Sequence, residues 1–334
     1  MDTNHVIQMS FSGRMPKAIK GSKMKVSVVI CVFNGARFLA DAIKSILNQD
    51  LDSFELIIVD DGSTDNTHQI LLSYDDPRLT IFKLPINCGV VTARNVGIAL
   101  AKGKYMAVMD ADDVALPNRL SHQVHFMEQH LDVDILGGQI IRTKESINEE
   151  IDRPNHPLKD NEIKALILAL NGSALSHPTM MARMDFVRKH NLIYAPPASG
   201  HVGEDHQFFI RCVKMKAKFA AIPDVLLYKR RHQSNLSLKM HEDEHRRTMT
   251  RAELLSLYYP ELKVSEVNSL ALLLQEKKQF SLMEVCDGVA AGKRALASNR
   301  SIYGESHEIL NAIILKQMKL VMSCLSSESH KSQA

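Results

Sequence analysis

No stretch of this 334-residue chain approaches the ~18 consecutive apolar residues that a bilayer-spanning helix needs. A continuous apolar segment near the start is also missing, so no secretory leader is expected. The cysteines Cys31, Cys88, Cys212, Cys286 and Cys324 are scattered, odd in number and never spaced C-x-x-C. That pattern argues against a disulfide framework or a zinc site and fits a reducing compartment. No G-x-G-x-x-G follows a predicted strand, and the turn after the first one, FNGARF, holds a single glycine. This weighs against a nicotinamide-dependent dehydrogenase and against a sugar-phosphate nucleotidyltransferase, both of which need glycine-rich backbone around phosphate. Neither sign of charge dominates: the net charge of +3 demands no nucleic-acid partner, and the basic clusters Lys229–His232 and His245–Arg247 have a plain reading as solvated faces.

What is present is a core-forming composition, 45% hydrophobic and 24% charged, laid out as alternating strand and helix patterns from residue 25 onward. VSVVICVF (Val26–Phe33) and FELIIV (Phe54–Val59) are dense apolar runs, the signature of strands buried on both faces. Between them Phe38, Leu39, Ala42, Ile43, Ile46 and Leu47 recur at helical spacing over 36–48. A helix over 64–72, a strand over 79–83, a helix over 90–101 and a strand over 105–109 continue the rhythm. Beyond these the pattern predicts a helix over 118–130, a strand over 133–141, a loop over 143–160, a helix over 204–215 and two short strands at 219–222 and 225–228. This βαβ order predicts an α/β fold: a Rossmann-like, mostly parallel sheet with helices on both faces. Three segments follow: a polar tail over 1–24, an α/β domain over 25–237, and a helical C-terminal region over 238–334. Amphipathic helices there suit packing on a core, and also leave contact with an anionic membrane surface open.

In open parallel sheets ligands bind beyond the carboxyl ends of the strands, and two acidic turns fall at such ends. In DADD, Asp110, Asp112 and Asp113 crowd together, and carboxylates so close repel unless a cation intervenes; Mg²⁺ or Mn²⁺ with oxygen ligands would serve and would also bridge a diphosphate. The same acids could instead favour the dipole of the helix that Pro117 opens. In DDGSTD, Gly62 suits a tight turn and Ser63 or Thr64 a helix cap, yet Asp60 and Asp61 sit at the end of a buried run, where an idle charge is costly. A carboxylate there can accept a hydrogen bond from the ring N–H of uracil or guanine. Arg94 lies on a helix otherwise small and apolar, placed either to pair with an acidic turn or to meet a base or phosphate. Glu204 and Asp205 open a helix after a flexible stretch; they stabilise its N-terminus or supply a general base that takes the proton of an attacking hydroxyl. His232 follows Arg230 and Arg231, a setting for an anion or a metal. His177, beside Pro178, faces an acceptor or holds a loop.

VSVVICVFNGARFLADAIKSILNQ, FELIIVDDGSTD and ARNVGIALAKGKYMAVMDADD together resemble glycosyltransferase family 2, of GT-A fold, over roughly residues 25–237. The resemblance implies inverting transfer from a nucleotide sugar, usually UDP-linked, with Mn²⁺ or Mg²⁺. By position it implies a donor site made of Phe33, Asn34, Asp60, Asp61, Arg94, Asp110, Ala111, Asp112 and His232. Asp61 would contact uracil, and Asp110, Asp112 and His232 would lie at the metal. Asp205 would be the catalytic base, with Glu204 and His177 near the acceptor, a glycan or a lipid-linked molecule. SHPTMMAR resembles the family's HPS/T–x–x–x–R element. Relatives often carry a Trp-containing helix after the acidic pair; this chain has no Trp and offers HQFFIR, so the acceptor side differs. The cysteine pattern and the lack of a leader or span predict a cytoplasmic protein, with peripheral contact to the inner membrane face and homo-oligomer formation left open; the resemblance implies a place in the synthesis of bacterial surface polysaccharide or lipopolysaccharide. A regulatory protein that binds a nucleotide sugar without transferring it is the competing reading, and the intact set Asp110, Asp112 and Asp205 speaks against it.

Overall fold

A computed structural model describes residues 24–168, 174–196, 203–233, 244–275, 280–298 and 306–331. Most of the tail expected over 1–24 lies outside the described residues. The chain divides into two compact units: 1–158, 175–196 and 207–235 form one, and 159–174, 197–206 and 236–334 the other.

The first unit is built on a nine-stranded sheet. β1 (Val26–Val32), β2 (Phe54–Asp60), β3 (Leu79–Lys83) and β4 (Tyr105–Asp110) are its parallel half, in the order β3-β2-β1-β4. β8 (Met181–Arg183) runs antiparallel to β4 and leads to β6 (Ile135–Thr143), β9 (Phe219–Arg230) and β5 (Val114–Ala115), while β7 (Glu150–Asp152) pairs with β6. β6 and β9 are parallel to each other and run with the first half; only the short β5, β7 and β8 run against it. Every residue of β2 and all but one of β1 are buried, as expected of strands covered on both faces.

The helices of this unit are α1 (Leu39–Leu47), α2 (Thr67–Leu72), α3 (Val90–Leu100), α4 (Arg119–Gln129), α6 (Met184–Lys189) and most of α7 (Glu204–Lys214). α1 buries Leu39, Ala42, Ile43 and Ile46 into a cluster with Val28, Ile30, Leu56 and Ile58, and each leucine, isoleucine or valine there contributes ~1.5–3 kcal/mol by leaving water. α3 comes so near β1 that a Cβ at Gly97 would stand 2.3 Å from a methyl of Val29. α5 (Asp160–Ile167), the first three residues of α7, α8 (Glu244–Tyr258), α9 (Val264–Leu273), α10 (Leu282–Ala297) and α11 (Ser306–Lys331) belong to the second unit. There the Tyr258 hydroxyl donates to the Lys164 carbonyl at 2.8 Å, and Ser281 and Glu284 form a reciprocal cap that starts α10. Among the described residues no helix is long and apolar enough to cross a membrane.

Three local expectations differ from the structure. The stretch 143–160 is not all loop: β7 pairs its exposed residues with the end of β6 and joins Asp152 to Arg142 at 2.7 Å. The two short strands at 219–222 and 225–228 are one strand, β9, with Pro223 and Asp224 bulged out of register against β6, where the missing proline N–H costs no ladder bond. α2 starts at Thr67, not Thr64; the amides of Thr64 and Asp65 lie in the preceding turn, held by the Asn34 side chain at 2.8 and 3.3 Å.

Candidate active site

Register fixes what meets at the carboxyl edge of the sheet. Val32 of β1 lies opposite Asp60 of β2, and Cys31 lies opposite Asp110 of β4, so both acidic turns flank the end of β1. β6 and β9 end together at Thr143 and Arg230, which carries Arg230 and the following His232 to the same edge. Two tight turns close the β1–β2 side. The Asn34 side chain, on a residue at φ 51°, accepts from the Thr64 amide, and the Asn34 amide donates to the Ser63 hydroxyl at 2.9 Å. Asp60 accepts from the Ser63 amide at 2.9 Å, and His68 Nδ1 stands 3.4 Å from its other oxygen. Asp61 accepts from the Cys88 amide at 2.7 Å. Burial pushes the Asp61 carboxyl above its usual range, against the pull of the Cys88 and Gly89 amides. Phe33 is half exposed beside this turn.

On the β4 side one carboxylate oxygen from each of Asp110, Asp112 and Asp113 lies within 4.8 Å of the others. The cluster is held from three directions. His232 Nε2 is 2.8 Å from Asp112 Oδ2. The Arg230 amide donates to Asp113 at 3.0 Å, while its guanidinium donates to the Asp112 carbonyl at 3.2 Å and to Asp41 of α1 at 2.6 Å. Arg94 Nη2 stands 3.6 Å from Asp110. Ala111, between the first two acids, packs partly buried on the core. Burial, and then the charge of Asp110, raises the Asp112 carboxyl; burial and the neighbouring acids raise Asp113 well above its usual range. Arg119, wholly buried on α4 and pushed down to about 10 by burial, donates to the Val108 carbonyl at 2.7 Å and contributes positive charge near Asp113 and Asp110. Asp113 Oδ2 is buried with no hydrogen-bond partner among the described residues. Three clustered carboxylate oxygens, one of them buried without a hydrogen-bond partner, suit a hard divalent cation.

His177 is 5% exposed and shares a 2.7 Å hydrogen bond with the Tyr194 hydroxyl; its ring edges onto Tyr194 and Phe209. Glu204 and Asp205 open α7 in the second unit, and the His206 amide donates to Asp205 at 2.8 Å. Asp41, Arg119 and Tyr194 were not singled out by the sequence. Only Arg119 left a trace there: a charge on the helical face that also carries Leu120, Gln123 and Val124, all buried with it.

A profile described as Glycosyl transferase family 2 matches residues 27–190. An uncharacterized glycosyltransferase of Haemophilus influenzae is 30% identical over 260 residues, covering 74% of this chain and 79% of that protein. The chain belongs to glycosyltransferase family 2. The uncharacterized glycosyltransferase MJ1057 of Methanocaldococcus jannaschii is 32% identical to this family 2 enzyme over 213 residues, 61% of this chain and 70% of that one. Among solved structures, S. aureus TarS 1–349 in complex with UDP-GlcNAc superposes with a TM-score of 0.60 at 18% identity, over 91% of this chain and 92% of that one. The mannosyltransferase PcManGT of Pyrobaculum calidifontis, in complex with GDP-Man and Mn²⁺, gives 0.51 at 14% identity, over 97% and 92%. These likenesses confirm the GT-A fold of the family 2 glycosyltransferase described here.

Proposed function

We propose that this glycosyltransferase moves a sugar from a UDP-linked donor to a hydroxyl of a glycan or lipid-linked acceptor, with inversion and with Mn²⁺ or Mg²⁺, in the building of cell-surface polysaccharide. The acidic cluster carries the reading: three carboxylates within 4.8 Å of one another at the end of β4, beside a histidine and an arginine. Asp61 accepts the ring N–H of the base, and Arg94 meets the diphosphate with its planar fork. Asp110, Asp112 and His232 would hold the cation, with Asp113 behind them. When bound, the cation offsets the negative charge that gathers on the departing nucleoside diphosphate. Asp205 takes the proton of the acceptor hydroxyl as its oxygen bonds to the anomeric carbon, while the bond from that carbon to the phosphate oxygen breaks. Glu204 helps to place the acceptor. The donor complexes of TarS and PcManGT support a nucleotide sugar, and the Mn²⁺ of PcManGT supports a metal.

Separating binding from transfer tests this reading. Asp205→Asn is expected to lose roughly 10²–10⁴-fold in the rate of sugar transfer while keeping its affinity for the donor. Asp112→Ala is expected to lose the Mn²⁺-dependent part of UDP binding. Full transfer by Asp205→Asn, or equal UDP affinity of Asp112→Ala with and without Mn²⁺, would contradict the assignments.

A further inference from the structure

We infer that Tyr194 is a positioning residue for the donor: clamped by His177, Asn95 and Phe208, it is the platform that aims the Arg94 guanidinium at Asp110 and at the donor diphosphate. The inference rests on the reading of Arg94 given above. An arginine side chain on a helix has several torsions to fix, and a guanidinium that must meet a diphosphate at the end of a neighbouring strand gains from a surface that fixes them. Arg94 has such a surface. Its guanidinium carbon lies 5.2 Å from the centroid of the Tyr194 ring, within cation–π range, and its Nη2 lies 3.6 Å from Asp110 Oδ1. The side chain is 11% exposed, so the contact is largely desolvated, where it is worth most.

Tyr194 is itself fixed at three points. Its amide donates to the Asn95 side chain and its carbonyl accepts from the same side chain, both at 2.8 Å, so the residue next to Arg94 on α3 grips the platform by its backbone. Its hydroxyl bonds to His177 Nε2 at 2.7 Å. Its ring stacks on Phe208 of α7 at 4.5 Å and 20°. His177 belongs to a tight turn in which its carbonyl accepts from the Met180 amide at 2.9 Å, just before β8 pairs with β4. The HPT segment is thereby tied to the acidic strand through its backbone, and to Arg94 through Tyr194. On this geometry His177 acts on the donor side from behind.

A double-mutant cycle tests the inference, read as the affinity of Mn²⁺ with UDP and of Mn²⁺ with GDP, measured by calorimetry on the full chain. Tyr194→Leu is expected to weaken binding about tenfold. Tyr194→Phe gives up the His177 bond but keeps the ring, the Phe208 stack and the Asn95 grip, and is expected to lose no more than about twofold. In an Arg94→Met background, Tyr194→Leu should add less than about twofold, because its effect passes through the arginine. A purely structural role would lower the melting temperature in both backgrounds and leave the nucleotide affinity of folded protein unmoved. Should the leucine variant not fold, Tyr194→Met refills the space without a ring face and serves in the same cycle. Unchanged affinity in folded Tyr194→Leu, or a full tenfold loss that persists with Arg94→Met, overturns the inference and leaves the donor reading intact. A wild type that binds neither nucleotide overturns the donor reading and this inference with it.

Discussion

Burying a carboxylate at a strand end costs folding free energy, and Asp61 registers that cost as a raised pKa, with burial the largest cause. The folded state therefore binds the proton more tightly than the unfolded one. The corresponding stability is present below about 3.9 and is lost as pH rises through the folded value. Asp61→Asn keeps an oxygen for the Cys88 amide and removes the charge. It is expected to melt above the wild type at pH 7, with the gain shrinking as pH falls toward 4, while nucleotide binding weakens; melting curves across that range check the first part and titration the second. A lower melting temperature at pH 7 would mean that the amide bonds to the ionised carboxylate outweigh its burial. Residues such as Asp61 and Asp112 were legible in the sequence because each motif sits on a few consecutive positions. The Arg230–Asp41 bond, which spans 189 positions, was not, and neither was the Tyr194 platform, because only the folded chain brings those partners together.

At the scale of elements, periodicity was informative wherever a strand or helix has a buried face. β1, β2 and α1 could be read for that reason. β7 could not, since all three of its residues are exposed and carry no alternation, and β9 read as two strands because its bulge holds Pro223. Packing between elements was hidden as well. Gly97 looks like an ordinary small residue of α3, yet a Cβ there would meet the stiff, buried Val29. Gly97→Ala is expected to cost about 1–3 kcal/mol, seen in chemical unfolding, although alanine is the better helix former. Greater stability would show that α3 can shift off β1. In the second unit Ser281→Ala removes the cap of α10 and is expected to cost about 1 kcal/mol.

For the whole molecule, family membership and the GT-A fold follow from motif order, since each acidic turn closes a strand of one parallel set. The second unit is helical, as its composition suggested, but its discontinuous make-up was not visible: 159–174 and 197–206 join the C-terminal helices although long stretches of chain separate them. Glu204 and Asp205 belong to that unit. The acidic edge of the first unit is proposed as a metal-dependent site for a nucleotide-sugar donor. The most direct test is the melting temperature of the full chain against a panel of UDP-, GDP- and CMP-sugars, each with and without Mn²⁺. One or more UDP-sugars are expected to raise it, and the rise is expected to require the metal. A folded protein whose melting temperature no nucleotide sugar moves, with or without Mn²⁺, would contradict that expectation.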